Sequence, residues 1–214
     1  MRIEEIMRKR LVTVTAETTL GEALSLLRGN RIRHLPVLSG EKLVGIVSDR
    51  DLRDALPSVL CRHDDDYQIL GTPVKEIMKT DVITAHPLDF IEDAAATVYE
   101  HRVGSLPIVE NNKLVGIVTE SDILNCLVEL FGVNRASSHI EVRVDDRTGM
   151  LAEVSQVFRE AKVNVISVMV YPSREDGKKN LVFRVQTIDP RHIIQLLSER
   201  GFDVIAPIEG GLLP

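Results

Sequence analysis

The stretch Lys42–Leu52, KLVGIVSDRDL, returns as Lys113–Leu124, KLVGIVTESDIL, and the agreement between the two decides the fold. Each is a continuous apolar run, then a Ser or Thr, then an Asp three residues after the hydroxyl. An apolar run of this length reads as a strand in a well-covered sheet, and [ST]-x-x-[DE] at its end marks the passage into a helix. An offset of 71 residues extends the match without a gap. It carries Glu5, Ile6 and Met7 onto Glu76, Ile77 and Met78, Leu35 and Pro36 onto Leu106 and Pro107, and Asp51 onto Asp122. The chain therefore contains an internal repeat, and the repeat is its first organising fact.

Working outward within the first copy, Leu20, Ala23, Leu24 and Leu27 recur at helical spacing, with Thr18 and Thr19 as N-terminal caps and Gly29-Asn30 as the stop. HLPVL and KLVGIV, joined by Ser39-Gly40-Glu41, read as a hairpin, and RDLRDAL turns helical again. Each copy is then strand, helix, strand, strand, helix. A unit of about 50 residues buries too little surface to be stable alone, so the two copies should pack together. Residues 57–72 form an insertion between them, bounded by Pro57 and by Gly71-Thr72-Pro73. Its His63 and Asp64 to Asp66 read as a solvated acidic loop, because consecutive residues rarely converge on one metal ion. Cys61 and Cys126 are too few and too far apart for a disulfide framework or a zinc site.

Beyond a linker at 132–138 the periodicity changes. HIEVRV alternates, with Ile140, Val142 and Val144 on one face, and DDRTG follows as a turn. Met150, Leu151, Val154, Val157, Phe158 and Ala161 make a helical stripe, and NVISVMVYP, LVFRVQT, PRHIIQLLSER and FDVIAPI complete the order βαββαβ. That is the ferredoxin-like arrangement, an antiparallel sheet with both helices on one face. The fold class is α/β (α+β): first copy 1–56, second copy 73–131, and a C-terminal domain 139–214.

Composition narrows the function. The net charge is −6 with Lys and Arg scattered among Asp and Glu, so no basic face invites a phosphate backbone, and nucleic acid is disfavoured as a partner. No apolar run suits a signal peptide or a membrane span, so a cytoplasmic protein is expected. No nucleophile stands with a His and an acid in a recognisable motif, and no metal spacing appears, so catalysis is not expected.

Ser48-x-x-Asp51 and Thr119-x-x-Asp122 admit two readings. One is a capping box, in which hydroxyl and carboxylate satisfy each other's backbone N–H groups. The other is a ligand site: uncapped N–H groups at the helix start would suit phosphate, and an acceptor-only carboxylate would suit the vicinal diol of a ribose.

RHLPVLSGEKLVGIVSDRDL and GSLPIVENNKLVGIVTESDIL resemble paired cystathionine-beta-synthase (CBS) domains, together a Bateman module, over roughly residues 1–131. The resemblance implies a regulatory module that binds adenine nucleotides (AMP, ADP or ATP) or S-adenosylmethionine in two clefts. Carried over by position, Asp122, Thr119 and Ser121 would hold one ribose phosphate, Arg33 and His34 would face its phosphates, and Val12 and Ile32 would line its base. The second cleft would have Asp51 and Ser48 opposite Gly104 and Ser105, with Arg50 where Ser121 stands, and would lack the same cationic wall.

DRTGMLAEV and KVNVISV resemble an ACT domain, which implies either a dimerisation module or a site for a small molecule such as an amino acid at Asp146, Arg147, Gly149 and Asn164. The whole order, with AHPLDFIEDAAATVYEHRVGSLPIV and SVMVYPSREDGKKNLVFRVQT, resembles bacterial acetoin-utilisation accessory proteins and implies a role in acetoin or butanediol catabolism. The expected protein is a homodimer that senses a nucleotide and signals to a protein target that the sequence does not name. A structural dimeriser with empty clefts is the alternative.

Overall fold

The computed structural model describes residues 1–55 and 69–206; Cys61, the His63 to Asp66 stretch and most of the insertion, like the last eight residues, lie outside them. Two compact units divide the chain, Met1–Leu124 and Asn125–Pro214.

In the first unit, β1 (Val14–Thr15), α1 (Leu20–Asn30), β2 (His34–Ser39), β3 (Lys42–Ser48) and α2 (Asp49–Ala55) make the first copy. The second copy has α3 (Ile91–His101), β4 (Ser105–Glu110), β5 (Lys113–Thr119) and α4 (Glu120–Leu130), the last running past the end of the unit. Where β1 pairs with β2 in the first copy, the second has only a single parallel bridge, Ala85 to Ile108, in place of the expected strand. Both hairpins share one register, with Leu35 opposite Val47 and Leu106 opposite Val118, and both carry a bulge at equivalent places, after Val37 and after Ile108. Identical patterns of apolar residues have chosen identical pairings.

Thr19 caps α1, forming a reciprocal box with Glu22. The helix stops at Gly29-Asn30, as expected. Asn30 is its last residue, and Arg31 takes the left-handed conformation at φ 54° as the C-cap; its repeat equivalent Arg102 does the same at φ 52°. Leu20, Ala23, Leu27, Leu35, Val37, Val47 and Leu52 close one core.

The copies are interleaved. Val74, from the second copy's leading segment, is fully buried in the first copy's core, and its N–H donates to Thr18 O at 2.8 Å. Reciprocally, the N–H of Ile3 donates to Asp89 O at 3.0 Å. Arg8 exchanges two backbone hydrogen bonds with Ile117 (3.0 and 3.2 Å), and Lys79 exchanges two with Ile46 (both 2.9 Å). Glycines allow the close approach: a Cβ on Gly116 would stand 2.5 Å from Met7 Sδ, and one on Gly45 2.6 Å from Met78 Sδ. Each leading segment thus lies along the other copy's hairpin, which is how two small units share one frame.

The second unit has the strand order β7-β8-β6-β9, all neighbours antiparallel, from β6 (Ser138–Asp145), β7 (Val165–Pro172), β8 (Lys178–Val185) and β9 (Asp203–Ala206). Helices α5 (Met150–Glu160) and α6 (Arg191–Glu199) supply Val154, Val157, Phe158, Ile193 and Leu197 to a core with Ile140, Val142, Leu181 and Phe183. Phe158 and Phe183 pack with ring centroids 4.5 Å apart. Leu151, expected in the apolar stripe, is instead 39% exposed, because its place on α5 turns it from the sheet. Among the described residues, no helix is long and apolar enough to cross a membrane.

Candidate functional site

The two S/T-x-x-D motifs fold alike. At the start of α4, the N–H and hydroxyl of Thr119 donate to Asp122 Oδ2 at 3.0 and 2.6 Å, and the N–H of Asp122 returns to Thr119 Oγ1 at 3.3 Å. At the start of α2, Ser48 donates to Asp51 Oδ2 at 2.8 and 2.5 Å and accepts from the N–H of Asp51 at 3.2 Å. Both are capping boxes. Two of the helix-start N–H groups expected to be uncapped are therefore engaged at each site: Asp122 and Asp51 in the boxes, and Glu120 and Asp49, whose N–H groups donate to Gly104 O and Arg33 O.

The other carboxylate oxygens separate the two sites. Asp122 Oδ1 accepts from Arg8 Nη2 at 2.8 Å and from Arg8 Nε at 3.1 Å. Asp51 Oδ1 faces Lys79 Nζ at 3.7 Å, close enough for an ion pair but too far for a hydrogen bond. Arg8 and Lys79 are equivalent under the repeat, and each reaches the acid of the opposite copy. Burial alone would raise the Asp122 carboxyl, but the hydrogen bonds from Arg8 and Thr119 outweigh it and hold the group below the ordinary aspartate range.

Beside these acids lie two cavities. The larger, about 540 Å³, is lined by Thr119, Ser121, Arg33, His34, Val12 and Ile32, with Gly104 at its edge; Asp122 stands behind Arg8 rather than on the wall. The smaller, about 270 Å³, is lined by Asp51, Ser48 and Arg50 across from Gly104 and Ser105. Apart from Asp122, the groups assigned to each cleft from the sequence lie along it, and Arg33, His34, Gly104 and Glu120 line both cavities. His34 sits against Gly104, where a Cβ would come 2.9 Å from its Nε2, so this glycine gives the imidazole room at the shared wall. Burial and then the neighbouring Arg33 push the His34 pKa down, against an opposing pull from Asp51, Glu120 and Asp49.

Sequence reading missed much of the charge. The larger cavity also presents Arg8, Arg10 and Arg31, so with Arg33 its wall sets four arginines against the single acid Glu120. The smaller is not short of cations as expected: Arg33, Arg50, Arg53, Lys79 and Arg102 line it, but so do Asp49, Asp51, Asp81 and Glu120. The difference is a surplus of positive charge in one cleft and near balance in the other. The offset that aligns Arg8 with Lys79 and Arg10 with Asp81 was the available signal, but nothing local says that these side chains face the opposite copy.

In the second unit, Gly149 caps α5 at φ 92°, a conformation that glycine adopts without strain. The other groups named at that turn are exposed and already partnered. Arg147 forks onto Glu153 at 2.9 and 3.0 Å, Asp146 faces Lys179 at 3.2 Å, and Asn164 donates to Gln186 Oε1 at 3.3 Å. No group of acids, histidines and cysteines among the described residues could hold a metal ion.

With the paired clefts and the ferredoxin-like unit described, comparison with known proteins assigns the class. The CBS domain model matches residues 3–58 and 74–129, and the ACT domain model matches 138–205. The chain belongs to the CBS-domain family, as a tandem CBS pair followed by an ACT domain. It is 33% identical over 121 residues to the CBS domain-containing protein YhcV of Bacillus subtilis, covering 56% of this chain and 81% of that one. Among solved structures it is similar to a protein assigned as the acetoin utilization protein AcuB of Vibrio cholerae, with 32% identity, TM-score 0.54, and 63% and 95% of the two chains covered. It also resembles the CBS pair of protein MJ0100 in complex with 5′-methylthioadenosine and S-adenosyl-L-methionine (27%, TM-score 0.51, 63% and 98%). A third similar structure is CBSX2 in complex with AMP (27%, TM-score 0.51, 63% and 98%). CBS and ACT domains are regulatory modules, and CBS pairs among these neighbours bind adenosine-containing ligands.

Proposed function

We propose that this protein is a non-catalytic cytoplasmic regulator that senses adenine nucleotides through its CBS pair and acts as a homodimer, with the ACT domain carrying the change to a protein partner in acetoin or butanediol catabolism. The observation that carries the reading is the larger cavity, where four arginines stand beside a Thr-Asp cap in a space wide enough for a nucleotide. A guanidinium matches phosphate geometry two bonds at a time, which makes an arginine-rich wall a phosphate wall before anything else. Asp122, Thr119 and Ser121 are assigned to the ribose phosphate side, Arg33 and His34 to the phosphates, and Val12 and Ile32 to the base. The likeness to AcuB supports the catabolic role, and the neighbours holding AMP, S-adenosylmethionine and methylthioadenosine support an adenosine ligand. The charge balance of the smaller cavity favours a second reading for that cleft alone, a ligand of low net charge such as S-adenosylmethionine. Because Asp146 and Arg147 are already in ion pairs, dimerisation suits the ACT domain better than capture of an amino acid there.

Calorimetric titration of the whole chain with AMP, ADP, ATP and S-adenosylmethionine at low and high salt tests the reading. The nucleotides should bind, and added salt should weaken the most highly phosphorylated most. If none of the four binds, or raises the thermal midpoint, the sensor reading fails. Light scattering of the chain at micromolar concentration tests the dimer, and a monomer would end that part.

A further inference from the structure

We propose that Arg8 is a specificity-determining residue of the Asp122 cleft: its guanidinium occupies the carboxylate oxygen that a ribose diol would take, so the cleft admits a phosphorylated ligand in preference to a neutral nucleoside. The proposal rests on the reading of these clefts as nucleotide sites.

A carboxylate offers about four lone-pair positions. At Asp122 all four are in use, two by Thr119 on Oδ2 and two by Arg8 on Oδ1. Thr119 belongs to the helix cap and cannot leave without uncapping α4. Arg8 can leave. Its side chain is 57% exposed, whereas that of Asp122 is 15% exposed. Its backbone cannot follow, because it is pinned to Ile117 by two hydrogen bonds. A displaced guanidinium therefore stays at the cavity, beside Arg10, Arg31 and Arg33. Without an anion, that move breaks a two-pronged ion pair and adds a fourth cation to a wall whose other three arginines form no ion pair among the described residues. A phosphate reverses the balance by giving Arg8 a new two-pronged partner where it lands. A nucleoside supplies the diol but not the replacement.

The equivalent position shows what the alternative looks like. Among the described residues no hydrogen bond reaches Asp51 Oδ1, which Lys79 faces only at 3.7 Å, so a diol can approach that acid without displacing a hydrogen-bonded partner there. The Asp51 cleft should then discriminate little between nucleoside and nucleotide. The offset of 71 makes Arg8 and Lys79 the same position, and the exchange of Arg for Lys at one place separates the two sites.

To isolate the Asp122 cleft, the whole chain carrying Asp51→Ala would be titrated with AMP and with adenosine, with and without Arg8→Gln. With Arg8 present, AMP should bind about tenfold or more tightly than adenosine. In Arg8→Gln the ratio should fall to about threefold or less, with adenosine gaining affinity as AMP loses it. Arg8→Lys, which keeps the charge but not the fork, should move the ratio the same way. An unchanged ratio in both variants overturns the role of Arg8 while leaving the nucleotide reading intact. If the unmodified chain binds neither ligand, the nucleotide reading fails and this proposal goes with it. Nuclear magnetic resonance of the ligand-free protein gives an independent check: the Asp122 carboxyl should titrate at higher pH in Arg8→Gln, and an unmoved titration would show that the pair is not formed and overturn the proposal.

Discussion

The Asp122 and Asp51 clefts come from one repeated sequence, share strand register, helix caps and a wall through Arg33, His34 and Gly104, and yet differ in charge and in the state of the acid. Backbone and apolar positions set the common frame, because hairpin register and core packing tolerate little change. The cleft walls are made of side chains that leave the frame unaffected. Arg10 faces one cavity where Asp81 faces the other, and Ser121 stands where Arg50 stands. Duplication supplies two sites, and a few surface substitutions make them unlike.

The frame can be broken first. Leu35 and Leu106 are equivalent and fully buried, so Leu35→Ala and Leu106→Ala should each cost about 2 to 5 kcal/mol. Urea unfolding checks this, and losses within about 1 kcal/mol of each other would show that the two cores are built alike.

A smaller effect separates the acids. Asp51→Ala should weaken nucleotide binding at its cleft by about 1.5 to 3 kcal/mol. Asp122→Ala should fall at the lower end of that range, because its ligand bonds replace bonds already made by Arg8. Two-site calorimetry would measure both, and a larger loss at Asp122 would count against competition by Arg8.

Arg31 and Arg102 sharpen the comparison from the stability side. Each holds a left-handed backbone that costs a side-chain-bearing residue about 1 to 2 kcal/mol, and each lines a cavity. Arg31→Gly should relieve that strain, gaining about 0.5 to 1 kcal/mol in thermal unfolding after the added freedom of the unfolded chain is counted. It should also weaken nucleotide binding in the larger cleft. A gain in stability with no loss of binding would show that the arginine serves no ligand.

The smallest effect is a pH dependence from the shared wall. His34 titrates below the ordinary histidine value of about 6.5, so the unfolded chain binds this proton more readily than the folded one. Its contribution to stability is therefore complete above about pH 6.5 and declines as the pH falls toward the folded value. The urea midpoint between pH 5 and 8 should lose part of its slope in His34→Asn. A slope identical to that of the unmodified chain would place the dependence elsewhere.

How much of this was legible varies by element. The hairpins could be read because their apolar runs and the Gly40 turn act over neighbouring residues, and the second unit because alternation in HIEVRV and the stripe from Met150 to Phe158 fix their own periods. The end of α1 at Asn30 was legible, whereas the left-handed cap on the non-glycine Arg31 was not, having no local signature. Leu151 was placed inward on periodicity alone, although which edge of an apolar stripe meets the sheet depends on how the helix is rolled against it. The cap and ligand readings of Ser48-Asp51 and Thr119-Asp122 could not be separated in the sequence, because one hydroxyl and one carboxylate three residues apart serve both.

By itself the sequence determined the repeat, the two kinds of domain, the two hairpins and the acids at the two helix starts. These follow from short-range forces: hydrophobic period, turn geometry and capping act within one copy and are written in its order of residues. Only the tertiary structure decided that Arg8 reaches Asp122, that Lys79 stops short of Asp51, and that Arg33 and His34 serve both clefts. Those pairings join residues up to 114 positions apart, through leading segments that cross to the opposite copy, and a charge's partner is set by where the packed frame brings it rather than by its neighbours in the chain.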